Sequence, residues 1–147
     1  MDIMRMESGF LHWGHDISPE ENQYQAGLNF AVSYKKNVNF IGKDALLKIK
    51  DKEPLKQFAM FSLKDSEPGE PLLLHDEPIY LEDKIIGRTT SGNYSFNYKK
   101  NISFGYINSG NSIKDIKNKK LFIEVEKKKY PIILEFKPLK DKNKKLI

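Results

Sequence analysis

From residue 57 onward the chain is written as short apolar stretches separated by turn-forming clusters, and this pattern constrains the fold more than any other feature. Residues 57–63 alternate, with Phe58, Met60 and Ser62 on one side of an extended chain and Ala59, Phe61 and Leu63 on the other. That two-residue period is the signature of a strand. Ser66-Glu67-Pro68-Gly69 supplies a turn. Residues 78–81 and 84–88 flank Glu82-Asp83, which predicts a hairpin. Residues 89–95 continue as strand and bend, and residues 102–107 form another strand. Residues 121–126 and 130–136 pair across Lys127-Lys128-Lys129. Roughly six short strands at this spacing predict a small barrel or sandwich. The lysine-rich tail from Lys137 is expected to fray.

The first part of the chain reads differently. Residues 4–10 resemble the last turns of a helix, with Gly9 as the stop. Ser18-Pro19-Glu20-Glu21 combines a capping serine, a proline suited to the first helical position and a carboxylate where a capping box needs one. A short helical turn to Gln25, ended by Gly27, is expected to follow. Residues 28–34 alternate Leu28, Phe30 and Val32 with Asn29, Ala31 and Ser33, which predicts a strand. Ala45, Leu46, Leu47 and Ile49 fall at helical spacing and predict a helix over 43–50. The polar run Lys50-Asp51-Lys52-Glu53-Pro54 is the one linker candidate, dividing residues 1–52 from 53–147.

Several function classes are excluded early. Without cysteine there is no disulfide, no thiolate nucleophile and no Cys-built zinc site. No apolar run is long enough for a membrane span, and Met1-Asp2-Ile3-Met4 lacks a signal-peptide pattern. A soluble cytoplasmic protein is the expectation. The net charge of +5 invites a nucleic-acid reading, but all 25 basic residues except Arg5 and Arg88 are lysines, and they are scattered. Bidentate phosphate and base recognition favours arginine, so nucleic acid is not the expected partner.

Chemistry-bearing residues concentrate near the start. His12 and His15, with Asp16 beside them, have a spacing that metal ligands use, yet Gly14 intervenes and no downstream cluster completes a set; no metal site is expected. Ser91-Gly92 lacks the setting of a nucleophile elbow, and no phosphate-cradling glycine loop exists. No catalytic residue is therefore assigned. Glu7, flanked by Met6 and Phe10 and near Trp13, is the carboxylate of most interest. Buried, it requires partners. Either Arg5 is one and Glu7 is structural, or Glu7 accepts two N–H donors from a flat heterocycle.

Taken together, Arg5-Met6-Glu7-Ser8-Gly9, His12-Trp13-Gly14-His15-Asp16-Ile17 and Gln25-Ala26-Gly27-Leu28 resemble the corresponding run of the aminomethyltransferase (glycine-cleavage T-protein) superfamily. Phe40-Ile41-Gly42-Lys43-Asp44-Ala45-Leu46 resembles a further segment in register. So do Gly87-Arg88-Thr89-Thr90-Ser91-Gly92-Asn93-Tyr94-Ser95, Lys100 to Ile107, and the stretch from Lys129-Tyr130-Pro131 to Lys137-Pro138-Leu139. Within the superfamily the likeness is nearest to the C-terminal region of dimethylglycine and sarcosine dehydrogenases. The lack of cysteine separates the chain from the iron–sulfur maturation branch.

The resemblance implies an α+β, mainly β fold: the end of a T-protein-type folate-binding domain over residues 1–52, followed by a small C-terminal β-barrel over 53–147. It implies tetrahydrofolate as cofactor and one-carbon transfer to it from aminomethyl or N-methyl donors. Glu7 matches the glutamate that holds the pterin ring in the family, and Trp13 and Tyr94 are expected to line the same cavity. The general-base aspartate and much of the folate cavity come, in full members, from a segment ahead of the position of Arg5. A separate N-terminal half is therefore an expected partner. The rival expectation is a non-catalytic barrel that oligomerises through Phe10, Leu11 and Trp13.

Overall fold

The computed structural model describes residues 2–36, 38–108, 110, 113–116 and 118–135. Phe136 and the lysine-rich tail, including Lys137-Pro138-Leu139, lie outside the described residues.

Six antiparallel strands close into a barrel: β1 (Lys56–Leu63), β2 (Pro78–Leu81), β3 (Lys84–Ser95), β4 (Lys100–Asn108), β5 (Leu121–Val125) and β6 (Lys128–Glu135), in the spatial order β1-β4-β3-β2-β5-β6. Closure leaves no unpaired sheet edge. The alternation expected in β1 sorts its side chains as a strand should. Ala59, Phe61 and Leu63 enter the barrel core with Ile79, Ile86, Ile107, Ile123 and Leu134. Phe58 and Met60 point the other way, into a second cluster with Met6, Ile102 and Phe104. Strand β4 is buried on both faces from Asn101 to Ile107, because the N-terminal segment lies over its outside.

The expected hairpins form. In β5–β6, however, Glu126 and Lys127 (φ 50° and 65°) make a two-residue turn, and Lys128 and Lys129 pair with Val125 and Glu124. A two-residue loop with both φ positive matches the right-handed twist of the flanking strands, so the turn is shorter than a three-lysine loop. Strands β3 and β4 approach closely at glycines: a Cβ on Gly87 would lie 1.9 Å from the Tyr106 carbonyl oxygen. A bulge between Thr89 and Ser91 interrupts the β3–β4 register.

Helix α1 (Asp2–Glu7) ends as its sequence predicts. Gly9 takes φ 76°, its N–H bonds the Met6 carbonyl at 3.0 Å, and the Phe10 N–H bonds the Arg5 carbonyl at 2.8 Å. This pair of bonds is a Schellman closure, which needs a residue at ease with positive φ. Helix α2 (Lys43–Ile49) also forms where expected. Two expectations are corrected. The Ser18 box makes its reciprocal bond, Ser18 N–H to Glu21 Oε2 at 2.7 Å, but opens a series of turns rather than a helix. Residues 28–34 contain a 3₁₀ turn at Asn29–Ala31 in place of the expected strand, and Phe30 is 86% exposed. Alternation alone does not make a strand when no neighbouring strand is placed to accept its ladder.

Candidate functional site

The N-terminal segment is fastened to the barrel through one buried carboxylate, Asp16, which is 1% exposed. Its Oδ2 accepts from Arg5 Nη1 at 2.5 Å and from the His12 N–H at 2.9 Å; its Oδ1 accepts from Thr90 Oγ1 at 2.6 Å and Ser91 Oγ at 2.7 Å. Consecutive residues of a regular strand point to opposite faces. The extra residue of the β3 bulge is what lets Thr90 and Ser91 aim at the same oxygen. Arg5 Nη2 also bonds Ser91 Oγ at 2.9 Å, and its guanidinium lies 5.8 Å from the Phe104 ring centroid. Tyr106 donates its hydroxyl to the Asp16 backbone carbonyl at 2.7 Å. Burial, with the carboxylates of Glu21 and Asp16 nearby, pushes this phenol far above its ordinary range, so it serves as a neutral donor.

A second tie joins Lys56 of β1 to Glu21, while Lys56 also sits 4.9 Å from the Tyr106 ring centroid. Burial alone would raise the Glu21 pKa. The hydrogen bonds from Lys56 and Ser18 outweigh it and hold the carboxyl below its usual value.

Glu7, at the end of α1, is half-buried. One carboxylate oxygen accepts from Ser95 Oγ at the end of β3 and the other from Asn97 Nδ2, in the turn that follows, at 2.9 Å. Arg5 is not its partner: that guanidinium bonds Asp2, Phe10, Asp16 and Ser91. An ionised carboxylate accepts at about four lone-pair positions, so each Glu7 oxygen retains acceptor capacity. Tyr94 precedes the Glu7 anchor Ser95 on β3 and packs edge-on against Phe96, with ring centroids 5.0 Å apart.

Trp13 stands elsewhere. It is 64% exposed and lines an open groove of about 810 Å³ between residues 8–30 and the outer face of β1 and β4. Phe10, Leu28, Phe30, Phe58 and Phe104 line it too, whereas Glu7 and Tyr94 do not. The groove nevertheless begins at Ser8 and Gly9, the residues directly after Glu7. The structure therefore sets Glu7 and Tyr94 at one end of α1 and Trp13 beyond its closing turn, without joining the three in one cavity. His12 and His15 stack on each other, 4.7 Å between centroids and 17° between planes. Among the described residues no group of three or more His, Asp or Glu side chains is set to hold a metal, and no helix is long and apolar enough to cross a membrane. Sequence reasoning noted Asp16 only as the acid beside His12 and His15 and missed its anchoring role, because its partners Thr90, Ser91 and Tyr106 lie 74 to 90 positions away.

Comparison with known proteins bears on both halves of this arrangement. The family described as Glycine cleavage T-protein C-terminal barrel domain matches residues 56–141. The 4-methylaminobutanoate oxidase (formaldehyde-forming) of Paenarthrobacter nicotinovorans is 43% identical over 94 residues, which is 64% of this chain and 11% of that protein. An aminomethyltransferase of Symbiobacterium thermophilum is 36% identical across 72% of this chain and 27% of its own length. Human mitochondrial dimethylglycine dehydrogenase is 30% identical over 141 residues, 95% of this chain and 15% of that protein. The chain thus spans between 11% and 27% of the length of these relatives. Aminomethyltransferase T of Bartonella henselae shares the fold, with a TM-score of 0.79 at 23% identity over 94% of this chain and 37% of its own.

Proposed function

The chain belongs to the glycine cleavage T-protein C-terminal barrel family, and from that membership we propose that it forms one wall of a tetrahydrofolate site serving one-carbon transfer. In this reading residues 1–52 are the end of the folate-binding domain and residues 53–147 are the barrel that buttresses it. The transferred carbon comes from a donor derived from glycine, sarcosine or dimethylglycine. The rest of the folate-binding domain is required for activity, and the cytoplasm is the proposed compartment.

The observation that supports the reading best is the state of Glu7. Ser95 and Asn97 fix its carboxylate from the barrel side, leaving it half-buried with lone pairs unspent. A carboxylate held in this way is preorganised for two parallel N–H donors, which the amino-pyrimidinone edge of a pterin presents. Tyr94 would border that ring, and Trp13 would form the apolar flank beyond the α1 turn. These three residues bind and orient; no residue of the chain is assigned the proton transfer.

Isothermal titration with tetrahydrofolate tests this, on the chain alone and joined to the remaining part of an aminomethyltransferase. Binding is expected in the joined form, with Glu7→Gln weakening it at least about tenfold, as loss of a charge-assisted pair requires. No binding in either form overturns the reading.

A second reading, a non-catalytic module that self-associates, draws on the exposure of Phe10 (68%), Trp13 (64%) and Phe30 (86%). A strict monomer by light scattering at high concentration removes it.

A further inference from the structure

Helix α1 has six residues, too few to hold together by its own hydrogen bonds. Where it sits is therefore set by what its side chains grip on β3 and β4, against which it packs. Three consecutive residues do the gripping. Met6 is fully buried in the cluster of Met60, Ile102 and Phe104. Successive helical residues project about 100° apart around the axis, so Arg5 and Glu7 leave on either side of Met6. Arg5 reaches Ser91 at 2.9 Å, while Glu7 reaches Ser95 and Asn97. Ser91 and Ser95 lie four positions apart in an unbroken stretch of β3 register, hence on one face and roughly 13 Å from each other. Arg5 and Glu7 are separated by about 3 Å along the helix axis. Side chains so close at their roots, stretched to points so far apart, stop α1 from sliding along β3 in either direction.

The two ends of this mount differ in how fully their carboxylates are used. Asp16 stands at the Arg5 end. An ionised carboxylate has about four lone-pair positions. Asp16 spends them on Arg5 Nη1, the His12 N–H and the Thr90 and Ser91 hydroxyls. At 1% exposure it has nothing left for a ligand. It also orders Ser91: a hydroxyl has one proton, and donating it to Asp16 Oδ1 leaves the oxygen lone pairs facing Arg5 Nη2. Glu7, at the other end, accepts from Ser95 and Asn97 and, among the described residues, pairs with no cation.

We propose that Asp16 is a positioning residue for Glu7. By locking Arg5 onto Ser91 it fixes the roll of α1 about Met6, and that roll decides where the Glu7 carboxylate stands relative to Ser95 and Asn97. Asp16→Asn keeps the shape but turns an NH2 group toward donors, so the Arg5 end loosens and Glu7 drifts from its anchors. The consequence for ligand affinity rests on the tetrahydrofolate reading above; the placement of Glu7 is measurable with no ligand present.

The test uses the whole chain with ¹⁵N-labelled asparagine. The Asn97 side-chain amide, assigned by its loss in Asn97→Asp, reports the hydrogen bond to Glu7, and Glu7→Gln gives the shift that marks disruption of that bond. Asp16→Asn is expected to move the Asn97 signal in the same direction. Ser91→Ala opens the same mount from the barrel side and is expected to act likewise, so the test does not depend on one variant folding. A loss of stability by itself changes how much of the chain is folded, not the resonance of the folded molecules. Ile123→Val on β5, in the barrel core and also destabilising, should therefore leave the signal in place. In the chain joined to the remaining part of an aminomethyltransferase, Asp16→Asn should weaken tetrahydrofolate binding at least about fivefold, as misplacement of a binding group does.

An Asn97 signal unmoved by both Asp16→Asn and Ser91→Ala overturns the proposal, and so does an equal shift in Ile123→Val. Native affinity in the joined Asp16→Asn variant, where Glu7→Gln loses it, also overturns it. No tetrahydrofolate binding by the joined native protein, with the Asn97 shifts as expected, removes the folate reading and leaves Asp16 in its role.

Discussion

Replacing Asp16 by alanine removes the acceptor on which four donors converge. The pair it makes with Arg5 is largely buried, with side chains 0% and 18% exposed. Breaking a buried pair by deleting one partner costs about 3–5 kcal/mol, because the other charge is left uncompensated. Arg5 keeps Asp2, the Phe10 carbonyl and Ser91 as partners, which places the expected cost at the lower end, about 3 kcal/mol. The His12 N–H and the Thr90 and Ser91 hydroxyls are also released; water entering the vacated space restores part of their bonding, so their separate penalties do not simply add. A domain of this length has a stability of roughly 7–22 kcal/mol at 0.05–0.15 kcal/mol per residue, so the variant still folds. Urea unfolding followed by far-ultraviolet circular dichroism should show the midpoint falling by about 1.5 M, taking a slope of about 2 kcal/mol/M. The Arg5→Leu, Asp16→Ala double variant should recover a large share, with a coupling energy above about 1.5 kcal/mol. A loss below about 1 kcal/mol for Asp16→Ala, the range of an exposed pair, or additive single variants, would refute the view that Asp16 fastens the segment.

Two further outcomes follow from the geometry. Gly87→Ala sets a methyl 1.9 Å from the backbone oxygen of Tyr106, a contact that only separation of β3 from β4 relieves; a loss of at least about 2 kcal/mol is expected by calorimetry, within the usual overpacking range. For Glu21, the folded pKa lies below the ordinary value of 4.5, since hydrogen bonds from Lys56 and Ser18 exceed the opposing effect of burial. Its contribution is therefore full above about pH 4.5 and lost as pH falls through the lowered folded value. The urea midpoint should drop across that acidic window, and Glu21→Gln should flatten that part of the profile; an unaltered profile speaks against the Lys56 tie.

How much was legible beforehand differs by element. The alternation in residues 57–63, the hairpin punctuation at Glu82-Asp83 and the glycine stop at Gly9 are local, and local geometry honours them. The same alternation in residues 28–34 led to a strand that does not exist, because a strand is completed by its neighbour and none is there. Glu7 drew notice as a carboxylate between apolar residues, while Arg5, its nearest cation in sequence, turned to Asp16 instead.

By itself, then, the two-residue apolar period with turn residues between determined a small barrel or sandwich, the family likeness implied the barrel, and closure was decided in three dimensions. Several short runs in order also marked the T-protein family. The tertiary structure decided where Asp16, Glu7 and Trp13 end up. A bulge that swings Thr90 and Ser91 onto one side, and strands that bring them to a carboxylate more than seventy positions away, are products of chain closure. Side-chain burial depends on what lies opposite in space, and periodicity along one segment carries no record of it.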